Sequence, residues 1–412
     1  MISKLTLGRR RFLLTTAATG LTTALARPRL GRAQGEAFRI GALNPVTGAG
    51  GTYGPGMQKT IIFAAEEVNE AGGAGGRTLE VIAEDTQTSP EAAVLAAKKL
   101  IEVNGVKAIL GTWSSGVTLA VLPIAVAADV ILMNTSGAPA ISTEDKKDLV
   151  WRFQATNDRF GQAFAKIADM RGYQRPATMA FNNASGVGNA EGFRKAWEGM
   201  GREVVASVVY EPERPSYRSE LQQVLAANPD VIVMGSYLPD TTIILREWYQ
   251  SGADNAWIIP GWAANPQLVE ALGPEVTQGV IAVDMVPNEQ GDAFARYAER
   301  YEEATGMPGG SNVYAAMAYD MVISLALAME AAGPDADVMA INGRIRDVSN
   351  PPGTTVTGFE EGKAALQAGE EIDYDGASSR LDFDEYGDVT PDFSLSVVQA
   401  SGDIVREDVV QI

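Results

Sequence analysis

The 412-residue chain contains no cysteine and no histidine. Without cysteine there is no disulfide, no thiolate nucleophile and no lipid anchor on an N-terminal cysteine. Without histidine the commonest general base is missing, and with it every Ser-His-Asp triad and every His or Cys metal site. Positive charge is scarce as well: 33 Lys and Arg stand against 52 Asp and Glu. Seven of those basic residues (Lys4, Arg9, Arg10, Arg11, Arg27, Arg29, Arg32) fall within the first 33 positions, which hold no acid. The rest of the chain therefore sets 26 basic against 52 acidic side chains, a balance that argues against nucleic acid and anionic membrane as partners.

The basic start has its own reading. The run FLLTTAATGLTTALA (12–26) is uncharged, about as long as the apolar part of a signal peptide, and too short to span a bilayer. The segment RRRFLL resembles the twin-arginine export signal, although Gly8 stands where Ser or Thr is usual. Cleavage is expected after Ala33, removing residues 1–33; an ordinary Sec signal is the alternative. The expected location is the periplasm, with no direct membrane anchor.

From Phe38 onward strands and helices alternate. Strands are read at FRIGAL, LEVIAED, VKAILG, VILMN, ATMAFN, VVASVVY, VIVMGS, AWIIPG and GVIAVDM, with amphipathic segments between them and helices near 291–305 and 313–332. SPEAAVLAAKKLIEVN reads as a helix capped by Ser89 with Pro90 at its first position. The uncharged stretch 108–128 contains Gly111, Ser114, Ser115, Gly116 and Pro123, so it reads as strand, turn and helix rather than a membrane span. Such alternation implies mostly parallel sheets covered on both faces, and about ten units are too many for one small sheet. The expectation is an α/β chain with two sheets in two lobes.

In parallel sheets ligands bind beyond the carboxyl ends of the strands. Three segments fit that position: NPVTGAGGTYGPG (44–56), GTWSSG (111–116) and NTSGAPAIS (134–142). All are rich in small and hydroxyl residues, which suit caps and turns and equally suit anion binding at helix starts. Tyr53, Trp113, Tyr237 and Trp262 fall in loops just after predicted strands, where aromatics wall pockets. Enzyme readings are weaker. Neither Ser114 nor Ser115 sits in Gly-x-Ser-x-Gly, and only a lysine or carboxylate base would leave a serine hydrolase open. The clusters GAGG, GGAGG and GVGNAEG miss the dinucleotide spacing. DFDEYGD (382–388) begins like a calcium loop, but Tyr386 and Phe393 occupy ligand positions, so it reads as a turn between strands. No cofactor or metal is expected.

At this point the residues resemble a known family. The segment RIGALNPVTGAGGTYGPGMQKTIIFAAEEVNEAGG, followed in order by GTWSSGVTLAVLPIA, FNNASGVGNAEGF, NPDVIVMGSY, VYAAMAYDMV and YDGASSRLDFDEYGD, is similar to the type I periplasmic binding proteins. These are the leucine/isoleucine/valine-binding proteins of ABC transporters. The resemblance implies the two-lobed type I fold, with residues 36–155 plus 286–390 in one lobe and 156–285 plus 391–412 in the other. Three crossings are expected near 155–157, 284–287 and 389–392. It implies a monomer, not an enzyme, that captures a small solute and delivers it to an inner-membrane ABC permease. A periplasmic sensor component presenting its solute to a receptor or regulator is the alternative.

The resemblance also assigns site residues. Ser115 matches the serine that holds a ligand carboxylate, Trp113 an apolar contact, and Tyr53 and Tyr237 pocket tyrosines. Thr135 and Ser136 match positions offering backbone groups. Ser114, Ser115, Ser136 and Gly137 are expected to hydrogen-bond ligand from one lobe, with Tyr237 and Trp262 closing from the other. Three positions depart: Gly137 stands where a threonine is usual, Val187 where a tyrosine is, and Gly261 where an acid holds a ligand ammonium. No acid is expected near Gly261. A buried ammonium without an anion is costly, so a carboxylate, amide or aromatic acid is expected at least as readily as an α-amino acid.

Overall fold

The computed structural model describes residues 36–412; the export-signal reading of residues 1–33 lies outside them. The strands β1 (Phe38–Asn44), β2 (Leu79–Asp85), β3 (Ala108–Gly111), β4 (Ile131–Asn134) and β5 (Val150–Arg152) form one sheet. Its order is β2-β1-β3-β4-β5 and every pairing is parallel. The strands β6 (Pro176–Phe181), β7 (Ala206–Tyr210), β8 (Val231–Gly235), β9 (Ala256–Pro260) and β10 (Ile281–Met285) begin the second. A short parallel pair, β11 (Thr354–Val356) and β12 (Ile372–Tyr374), stands apart. The last two strands, β13 (Phe393–Val398) and β14 (Ile404–Val410), complete the second sheet in the order β14-β13-β10-β9-β8-β6-β7.

The central strands are buried on both faces, which is why AILG, ILMN and VIVMG read as continuous apolar runs rather than alternating ones. Helix starts follow the expected chemistry. Ser89 Oγ accepts the Ala92 N–H at 3.3 Å and Asn183 Oδ1 the Gly186 N–H at 2.8 Å. The one departure from parallel order is at β13, which runs antiparallel to both of its neighbours, β10 and β14. β13 and β14 are joined by a tight turn, closed by Gln399 N–H to Asp403 O at 2.8 Å, and a turn that short can only reverse the chain. Helix Val313–Ala332 is long and apolar enough to cross a membrane, yet seventeen of its twenty residues are buried against the protein, which makes it a core helix.

Three segments run between the sheets, and they lie side by side. Ala155 N–H donates to Met285 Sδ at 3.4 Å, and Val286 N–H to Asp392 O at 3.0 Å. Just before the first of them, the buried Arg152 approaches Asp388 Oδ1 with its Nε at 2.9 Å. Arg152 Nη2 also donates to Ala138 O at 3.1 Å and to Ser142 Oγ at 2.9 Å, and Ser142 Oγ donates to Asp388 Oδ2 at 2.7 Å. The group thus ties the loop after β4 to the DFDEYGD turn. Burial raises the Asp388 carboxyl and lowers the Arg152 guanidinium more than their mutual attraction offsets. Removing one member strands the other without a counter-charge. Arg152→Leu should therefore lower unfolding free energy by about 3–5 kcal/mol in urea titration; an unchanged midpoint would contradict this account.

Candidate functional site

Both sheets turn the carboxyl ends of their strands toward one gap. From the first sheet come the loops after β1, β3 and β4; from the second come those after β6, β8 and β9. Trp113, Ser115 and Gly137 meet Tyr237 and Trp262 there, around a cavity of about 10 Å³, room for one water. Gln154, Ser185 and Tyr314 complete the lining. The walls are mostly aromatic. Trp113 and Tyr237 face each other across the gap with ring centroids 4.9 Å apart, while Tyr314 meets Trp113 edge-on at 5.8 Å. Phe181 lies 4.6 Å behind Tyr237, and Phe160 5.0 Å behind Trp262.

The two serines of GTWSSG have different surroundings. Ser114 is the N-cap residue of helix Ser115–Ala127, but its hydroxyl makes no capping bond. Instead Ser114 Oγ accepts from Tyr237 Oη at 3.2 Å, a contact between the two sheets' loops. Ser115 Oγ accepts the Ala138 N–H at 3.2 Å, joining the β3 and β4 loops. Neither hydroxyl is bonded to a lysine or a carboxylate among the described residues.

The other expected residues sort into two groups. Tyr53 stacks on Trp113 at 5.9 Å and on Tyr314 edge-on at 5.2 Å. Its hydroxyl donates to Trp262 O at 3.3 Å and accepts from Asn265 Nδ2 at 2.9 Å, so it also spans the gap. Burial raises the pKa of Tyr53, Tyr237 and Tyr314, and all three stay neutral phenols at any physiological pH. Ser136 does not line the cavity: its hydroxyl is held by Thr112 O at 2.5 Å and Thr118 Oγ1 at 2.6 Å. In the amide orientation that satisfies both ends, Gln154 donates to Thr135 O and accepts the Gly137 N–H, each at 2.9 Å. The backbone groups expected to meet a ligand at Thr135 and Gly137 are thus bonded within the protein.

The two glycines that depart from the family pattern are packed against polar side chains. A Cβ at Gly137 would lie 1.8 Å from Asn157 Oδ1 and 3.1 Å from the Gln154 amide. A Cβ at Gly261 would lie 2.4 Å from Asp284 Oδ2. The expectation of no acid near Gly261 is therefore corrected. The acid arrives from β10, the strand beside β9, where a linear reading of IIPGWAANP could not find it. The Asp284 carboxylate accepts only the N–H of its own neighbour Met285, at 2.9 Å, and forms no ion pair among the described residues. Burial pushes its carboxyl up to about 7. Because the folded state favours its proton, Asp284 supports folding at low pH, and that support is lost as pH rises toward 7.

Sequence reasoning missed Gln154, Ser185, Tyr314 and Asp284. Ser185 lies in NNASG, small and hydroxyl residues at a strand end, the same signal that marked the other three loops. Asp284 is a lone acid closing an apolar strand, a signal that could have been weighed. Tyr314 in VYAAMAYDMV is indistinguishable from core, and Gln154 carries no local signal.

The sequence matches the periplasmic binding protein family over residues 37–403. The chain belongs to that family. It is 25% identical over 329 residues to the leucine-, isoleucine-, valine-, threonine- and alanine-binding protein of Pseudomonas aeruginosa, covering 79% of this chain and 86% of that one. It is 27% identical over 359 residues to a chemotactic signal transduction system substrate-binding protein of Halobacterium salinarum, covering 84% of each. The crystal structure of a leucine-binding protein from Thermotoga maritima superposes with a TM-score of 0.78 at 24% identity, over 90% of this chain and 98% of that one. The two-lobed type I fold expected from sequence is the fold observed, and these family relatives are binding proteins rather than enzymes.

Family membership does not require glycine at 137; the packing here does. Gly137→Ala should destabilise by about 1–3 kcal/mol, because the added methyl must displace an Asn157 amide held by Ser185 O at 3.0 Å. A melting temperature equal to the parent's would show that Asn157 yields freely.

Proposed function

We propose that this chain is the substrate-binding protein of an ABC uptake transporter. It acts in the periplasm, which it reaches by the twin-arginine route after loss of residues 1–33. It captures a small solute bearing a carboxylate between its lobes and hands it, as a monomer, to the permease without catalysis. In this reading one lobe comprises residues 36–155 plus 286–390 and the other 156–285 plus 391–412.

One observation carries the reading: Trp113, Ser115 and Gly137 from one sheet converge with Tyr237 and Trp262 from the other on a single cavity. The Ser115 hydroxyl stands at the first residue of helix Ser115–Ala127, where the backbone favours negative charge. A solute larger than a water must part these walls to enter, so binding and lobe movement are one event. Such a protein works because its solute binds the closed form better than the open form and so shifts the population toward it.

The second reading is a sensor component that presents solute to a receptor; the chemotactic relative from Halobacterium salinarum favours it. Stimulation of uptake by a permease reconstituted in vesicles separates the two, since a sensor alone would leave uptake unchanged.

The test of capture is a thermal-shift screen over amino acids, amides and small carboxylates, followed by calorimetry on each hit. Ser115→Ala should weaken a carboxylate hit about ten-fold or more, while the melting temperature without solute stays close to the parent's. Equal affinity in parent and variant would remove Ser115 from the site.

A further inference from the structure

Two helix starts face each other across the gap. Tyr53 is the N-cap residue of helix Gly54–Glu70, in the loop after β1; Asn265 is the N-cap residue of helix Pro266–Leu272, in the loop after β9. The Tyr53 hydroxyl accepts from Asn265 Nδ2 at 2.9 Å and donates to Trp262 O at 3.3 Å, so both its partners come from the other sheet's side. At the rim beside it, Thr52 Oγ1 donates to Gln267 Oε1 at 2.7 Å. Thr52, Tyr53, Asn265 and Gln267 lie outside the walls of the small cavity and line a separate compartment of about 460 Å³.

Each half of this contact is fixed within its own side. Asn312 Nδ2 donates to Tyr53 O at 3.0 Å, and Asn312 Oδ1 accepts the Ala315 N–H at 3.2 Å. The Tyr53 backbone is thereby mounted on the start of the buried helix Val313–Ala332. Opposite, Asn265 Oδ1 accepts the N–H groups of Gln267 at 3.0 Å and Leu268 at 3.2 Å, which sets the amide so that Nδ2 faces Tyr53. Trp262 is held in turn by its Nε1, which donates to Ser236 O at 3.0 Å. Groups that are already ordered lose little freedom when they meet, so their bonds count for more than those between mobile side chains.

We propose that the Tyr53–Asn265 pair is a latch between the lobes: it sets how tightly solute is held by stabilising the closed form, without touching the solute. This rests on the capture reading above and adds the element that tunes it. Solute needs the closed form, so apparent affinity is the intrinsic affinity multiplied by the fraction of protein that is closed. A latch made only of protein groups changes that fraction and nothing else. Its loss therefore weakens every solute by one factor, whereas loss of an anchor such as Ser115 discriminates between solutes.

The test begins with two variants. Tyr53→Phe removes the hydroxyl and keeps the ring; Asn265→Ser removes the amide and keeps a helix cap. The chain has no cysteine, so Glu102→Cys and Glu191→Cys take one spin label each without background. Both positions are exposed, one between β2 and β3 and the other between β6 and β7, and together they report the separation of the lobes. Without added solute the parent should show a short and a long separation. Each variant should lower the ratio of short to long about two- to ten-fold. The double variant should fall short of the product of the single effects, because both changes break one bond.

Calorimetry supplies the second readout, with L-leucine, benzoate and benzamide as probes. Each latch variant should weaken every probe that binds by the same factor, equal to its loss of closed fraction, while Ser115→Ala should weaken benzoate more than benzamide. Factors that differ among probes, or from the loss of closed fraction, would put Tyr53 in contact with solute and overturn the latch. A short separation missing from the parent, or unchanged in both variants, would overturn it as well. If the variants open the lobes but no compound of the thermal-shift screen binds the parent, capture is overturned and the latch stands as a contact between lobes.

Discussion

A parallel strand cannot be reached by a hairpin; the chain must return over the sheet before it pairs again. That constraint arranges everything in this molecule. Each parallel strand within a sheet ends in a loop on the same side, and the two carboxyl edges face one gap. The turn after β3 shows how tightly such a loop is held. Thr112 is β-branched yet lies at φ 47°, a conformation with a steric penalty. Its N–H is held by Leu43 O at 2.7 Å, and its carbonyl receives the hydroxyls of Ser136 at 2.5 Å and Thr118 at 2.8 Å. Those bonds offset the strain and bring Trp113, Ser114 and Ser115 out of the strand line to the gap.

The two unexpected glycines follow one rule. At each, the side chain is absent because a polar group from a crossing segment already fills the space. Asn157, in the first crossing, and Gln154, just before it, close on Gly137; Asp284, at the end of β10 where the second begins, closes on Gly261. The polar groups nearest the gap are thereby carried by the segments that must bend if the lobes part. A solute that engages Gln154 or Asp284 acts on the hinge directly, with no intervening chain of contacts to transmit its presence. The differential affinity that shifts an open form to a closed one then arises at the hinge itself.

Much of this was legible before any coordinate. The first nine strands read from sequence lie in the two sheets, because fully buried parallel strands write themselves as short apolar runs. The three loops after β1, β3 and β4 do reach one side of the first sheet, because parallel order forces them to. What stayed hidden depends on neighbours in space. Ser136 and Ser115 look alike in a linear reading, both hydroxyls at strand ends; only the position of the Thr112 carbonyl turns one inward and leaves the other on the cavity. Gly261 read as a lost acid because β9 and β10 are adjacent in the sheet but more than twenty residues apart in the chain. Short β5 and the β13–β14 pair were missed for the opposite reason: three residues carry too little pattern, and a terminal antiparallel pair needs no helix to announce it.

The adjacent serines show why an exposed-looking hydroxyl motif need not be a nucleophile. A serine attacks when a base takes its proton. Ser114 Oγ accepts a hydrogen bond from Tyr237, whose burial keeps its phenol protonated and so unable to take a proton from the serine. Ser115 Oγ receives the Ala138 N–H, and a hydroxyl that accepts one bond keeps its own proton to donate. It stands at the start of a helix whose first turn carries no acid and no side-chain cap, so the backbone dipole reinforces that donor toward an anionic oxygen. Both serines are therefore arranged to hold a hydrogen bond rather than to give up a proton to a base, and the arrangement that makes them weak nucleophiles is the one the proposed carboxylate contact of Ser115 requires.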